Sequence, residues 1–87
     1  MVVRTRFFLY FDEEGPAREA GSVLDRRGFD VRVLSPDEHV EQWAVHADKD
    51  MPGRIVSFGF RLTERSLRRL ASKLGGEYDG NEVEVAR

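Results

Sequence analysis

The sequence predicts an α+β domain: one antiparallel sheet with two helices on a single face. Three observations predict it. Setting aside a weakly marked stretch at 54–62, the segments run strand, helix, strand, strand, helix, strand; both helical stretches end on glycine; and 87 residues allow one hydrophobic core but not two. That order is the split βαβ, or ferredoxin-like, arrangement. Residues 1–87 are read as one domain.

The first strand is residues 3–11, VRTRFFLYF. Val3, Thr5, Phe7, Leu9 and Phe11 alternate onto one face and Arg4, Arg6, Phe8 and Tyr10 onto the other. Asp12, Glu13 and Glu14 then place negative charge where a helix begins with exposed N–H groups, and Pro16 is tolerated in a first turn. Ala17, Ala20, Gly21 and Leu24 follow at helical spacing, their small side chains letting the helix lie close to a sheet, and Gly28 is the expected stop. Phe29, Val31 and Val33 alternate with Asp30, Arg32 and Leu34 in a second strand that closes at Ser35-Pro36.

Residues 37–41 are polar and acidic, the composition of a loop, and Trp43, Val45 and Ala47 alternate with Gln42, Ala44 and His46 in a third strand. Asp50-Met51-Pro52-Gly53 reads as a turn. Residues 54–62 place Val56, Phe58, Phe60 and Leu62 at a period of two, so an extra strand or extended segment is expected there. Thr63 suits an N-cap, and Leu67, Leu70, Ala71 and Leu74 form a helical stripe ended by Gly75-Gly76. Asp79-Gly80 is turn chemistry before a last strand at 82–85, with Tyr78 expected under the turn and its hydroxyl at the surface.

In the ferredoxin-like order the first and last strands are antiparallel neighbours, which sets Arg4 and Arg6 beside Glu82 and Glu84 on the open face. Such opposite-charge pairs contribute roughly 0.2–1 kcal/mol each. The charge pattern thus agrees with a topology inferred from hydrophobicity alone.

Composition narrows the function classes. The absence of cysteine excludes disulfides, thiolate metal sites and a cysteine nucleophile. No apolar run approaches the roughly 18 residues of a membrane span, and the chain opens on strand alternation where a signal peptide would stand, so a cytoplasmic location away from membranes is expected. A net charge of −2 provides no global attraction to nucleic acid. His39 and His46, with the acids near them, match no ligand spacing, no serine has a nucleophile-elbow context, and the glycine pair ends a helix where phosphate cradles begin one. Neither an enzymatic activity nor a cofactor is expected.

Two surfaces stand out as candidates for binding. Phe8, Tyr10, Leu34 and His46 fall on the open sheet face. Arg65, Arg68 and Arg69 of the second helix belong to a basic run of the chain that also includes Arg54, Arg61 and Lys73 against the single acid Glu64. Phe58-Gly59-Phe60 echoes the middle of the RNA-recognition octamer, but its flanks do not match, so RNA is not the expected partner. Direct RNA binding through the arginine helix stands as the alternative.

Taken together, YFDEE, RRGFDVRV, WAVHAD and RLASKLGGEYDG, with the closing strand, resemble the family of the regulator of ribonuclease E activity B from about Tyr10 to Val85. The most specific piece is the helix ending in Gly75-Gly76-Glu77-Tyr78-Asp79-Gly80; the family motif usually continues with Trp, where this chain has Asn81. The resemblance implies a ferredoxin-like domain and a non-catalytic regulator whose partner is a protein, an endoribonuclease in the best-known member. The open face could equally cover a second copy of the chain as a homodimer.

Overall fold

The computed structural model describes residues 2–52 and 58–84. In chain order it contains β1 (Val2–Phe11), α1 (Glu14–Arg26), β2 (Asp30–Leu34), β3 (Trp43–Pro52), α2 (Phe58–Lys73) and β4 (Glu77–Val83). The sheet order is β2-β3-β1-β4 with every pairing antiparallel, the expected ferredoxin-like plait. Alternation in β1 sends Phe7, Leu9 and Phe11 into one core with Leu24 of α1 and Phe60, Leu67 and Leu70 of α2, so both helices cover one face of the sheet.

The sequence requires close packing at two points. Gly21 of α1 sits where a Cβ would stand 3.0 Å from a Val33 methyl and 3.2 Å from a Val31 methyl, which brings the helix down onto β2. Each helix ends in a Schellman turn: the Phe29 and Gly76 amides donate to the Leu24 and Ala71 carbonyls, with Gly28 and Gly75 at positive φ. Of the glycine pair that ends α2, only Gly75 takes the left-handed conformation. The role of Gly76 is different, because a Cβ there would run into the Phe11 ring and the Tyr10 carbonyl.

Three segments depart from expectation. The extra strand at 54–62 is not formed: residues 58–62 are the opening turns of α2, and 54–57 lie outside the described residues. Phe58, Phe60 and Leu62 alternate, but Phe60 also continues the helical series to Leu67, Leu70 and Ala71, and packing follows that longer series. Phe60 is fully buried while Phe58 and Leu62 point outward. Thr63 is consequently inside the helix, its hydroxyl donating back to the Gly59 carbonyl at 3.0 Å.

The turn expected at 50–53 begins later, because β3 runs on through Met51 and Pro52, paired with Val3 and Val2. Burial of Met51 in the core explains the extension. The last strand starts at Glu77 instead of Glu82, and Asp79-Gly80 is a bulge within it. Leu9 pairs with Tyr78 and Phe7 with Asn81, leaving two β4 residues opposite Phe8, and Gly80 at φ 99° provides the kink. Tyr78 therefore faces the core side, near Phe7, and its hydroxyl donates to Glu64 of α2 at 2.6 Å. Burial, and then that hydrogen bond, hold the Tyr78 hydroxyl protonated well above the ordinary phenol range. Asn81, at the motif's variant position, donates to the same Glu64 oxygen at 3.3 Å, so it ties β4 to α2.

Candidate functional site

Strand register arranges the open sheet face in rows. The first row across the sheet is Leu34, Ala44, Tyr10 and Glu77. The second is Arg32, His46 and Phe8, and the third is Asp30, Asp48, Arg6 and Glu82. In the last row Asp50 pairs with Arg4, whose carbonyl accepts the Glu84 amide hydrogen bond. The four open-face residues singled out from sequence, Phe8, Tyr10, Leu34 and His46, are thus brought together in two adjacent rows. Phe8 and His46 rings meet edge to face, 5.0 Å between centroids.

The other two rows are ionic. Arg6 lies beside Glu82 as expected, but its guanidinium is held by β3: Nε and Nη2 donate to the two Asp48 oxygens at 2.8 and 3.0 Å. Arg4 donates to Asp30 and to Asp50. The bidentate geometry favours the charged form, so Arg6 keeps the Asp48 carboxyl below the usual carboxylate range. Asp30, Asp48, Asp50, Glu82 and Glu84 surround two arginines, making this end of the face acidic beside its apolar end.

His46 joins the two ends. Its pKa is pushed below the ordinary histidine value, first by burial and then by the nearby Arg6 charge. The unfolded chain therefore takes up this proton first as pH falls. Stability from neutral His46 is complete above the ordinary value of about 6.5 and is lost as pH drops below it toward the lowered folded value. The denaturant midpoint should decline between about pH 7.5 and pH 5, and His46→Gln should flatten that decline. Equal declines in both proteins would assign the effect to other groups.

The arginines singled out from sequence are separated by the structure. Arg68 lies over the Tyr78 ring, 5.5 Å from its centroid, on the β4 side of α2. Arg65 and Arg69 line a groove between α1 and α2. The helices cover the opposite side of the sheet from Phe8, so the seven residues form two surfaces and an isolated stack, not one site. Sequence reasoning passed over Arg27, which joins the groove from the end of α1 and donates to Ser66 at 3.1 Å. A residue beside a helix-stopping glycine carries no signal of that contact.

At the edge of the open face, the acidic loop is held by its own chemistry. Asp37 Oδ1 accepts the His39 and Val40 amides at 2.8 Å each, and these bonds lower the Asp37 pKa. Among the described residues no group of three histidine or carboxylate side chains is placed to hold a metal ion, and no helix is long and apolar enough to cross a membrane. Compared with known protein families, residues 3–83 match the one described as regulator of ribonuclease activity B. No curated protein matches the chain.

Proposed function

Since this chain belongs to the regulator of ribonuclease activity B family, we propose that it is a non-enzymatic protein-binding module that regulates a ribonuclease by contact through its open sheet face. The observation that carries this reading is the pair of adjacent rows holding Phe8, Tyr10, Leu34 and His46, which neither helix covers because both pack on the other face. Rigid aromatic anchors bordered by charge are the anatomy of a protein interface. The adjoining carboxylate-rich rows favour a partner surface with basic residues beside an apolar patch.

The test is direct binding of the purified chain to a purified endoribonuclease, with RNA cleavage followed in parallel. Replacing Phe8 and Tyr10 together by aspartate should weaken binding at least about 30-fold and abolish the effect on cleavage, because interface anchors of this kind typically contribute most of the affinity. Unchanged binding by the double variant would remove the open face from the interface. In the competing reading a second copy occupies the face. Sedimentation should then show a dimer that Phe8→Asp converts to a monomer.

A further inference from the structure

We propose that the groove between α1 and α2 is a second docking surface, which takes an acidic amphipathic segment of a partner protein. It lies on the opposite side of the sheet from Phe8 and stands independently of the reading of that face. Arg61, Arg65, Arg69 and Lys73 recur every four residues and so share one side of α2. Three of them, with Arg27 at the C-terminal end of α1, rim a groove whose lining includes no carboxylate, although the chain as a whole carries a charge of −2.

These cations are not consumed inside the fold. Every ion pair among the described residues involves Arg4, Arg6, Arg18 or His39. A cationic stripe that finds no counter-charge among the described residues is complementary to an acidic partner.

The floor selects the kind of partner. It is aliphatic, formed by Val23, Leu62 and Leu70, with no aromatic ring in the lining. Single-stranded nucleic acids gain much of their affinity from stacking on aromatic rings. Phe29, beyond the Arg27–Ser66 bridge, is buried and already has the Lys49 ammonium 4.8 Å from its centroid, and the exposed Phe58, one turn before Leu62, is not part of the lining. An aliphatic floor under a basic rim matches an amphipathic helix that lays leucine-like side chains into the groove and carboxylates along its edges. From Leu62 to Lys73 the groove follows α2 for about 17 Å at 1.5 Å per residue, the length of about three helical turns of ligand.

The experiment is a titration of the isotope-labelled full chain, followed through its amide resonances, with a peptide of about 14 residues built from glutamate and with leucine at helical spacing. Shifts should cluster at Val23, Arg27, Leu62, Ser66 and Arg69. The double variant Arg65→Glu, Arg69→Glu, altered only at exposed positions, should keep its melting temperature and lose about tenfold or more in affinity, as should the native chain toward a peptide with serine for leucine. Phe8→Asp should leave the titration unchanged, which separates this surface from the open face. The proposal is overturned if the peptide produces no shifts or shifts on the open face. It is also overturned if a uridine oligonucleotide of similar length binds more tightly through the same arginines.

Discussion

Replacing Phe7 by alanine should remove a large share of the domain's stability and move its urea midpoint far down. Phe7 is fully buried, with its ring centroid 6.0 Å from Phe29, 5.7 Å from Phe60 and 6.5 Å from Tyr78, so it joins β1 to β4, to α2 and to the entry of β2. Truncating such a side chain removes its transfer free energy and leaves a cavity, together about 3–5 kcal/mol. A domain of this length has about 4–13 kcal/mol of stability in total. Urea denaturation followed by circular dichroism measures the loss.

Its neighbour is the control. Phe8 points to the open face, half-buried against His46, and Phe8→Ala should cost only about 1 kcal/mol while weakening partner binding. Comparable losses of stability from the two substitutions would contradict the division of β1 into a core face and a binding face.

Alanine at Gly76 should destabilise by about 3 kcal/mol, more than at Gly75, where the positive φ implies about 1–2 kcal/mol. At Gly75 nothing lies within 4 Å of an added Cβ, so the penalty is conformational only. At Gly76 the added carbon meets the Tyr10 carbonyl as well as the Phe11 ring, and a backbone carbonyl inside a paired strand cannot turn aside. Relief would require β4 to move away from β1 at the point where Tyr10 pairs with Glu77. Parallel denaturation curves of the two variants test the ranking. A Gly76→Ala protein as stable as Gly75→Ala would mean that β4 shifts freely there.

How far the sequence alone could be read depends on the range of the interactions that decide each feature. The alternation in β1 and the glycine stops after both helices are local patterns, and local sterics and hydrogen bonding determine them. The family emerged from the same region, the end of α2 and the residues after it. The open-face group Phe8, Tyr10, Leu34 and His46 was also legible, because once strand order is known, parity along each strand places a side chain on a face.

Features set by competition between elements were not legible. Phe58, Phe60 and Leu62 satisfy a strand period and, through Phe60, a helical one; burial of the Phe60 ring against Phe7 decides for the helix. Asp79-Gly80 is turn chemistry in isolation, and becomes a bulge because Tyr78 and Asn81 both pair with β1 and both bond Glu64.

By itself, then, the sequence determined the fold class, the element order, the family and the open sheet face, because each follows from periodicity or from contiguous motifs. Only the tertiary structure decided that Arg6 is held by Asp48, that Arg68 stacks on Tyr78 away from the other arginines, and that Arg27 meets Arg65 and Arg69 across a groove. Those contacts join residues far apart in the chain. Their geometry exists only once the helices have been laid side by side on the sheet.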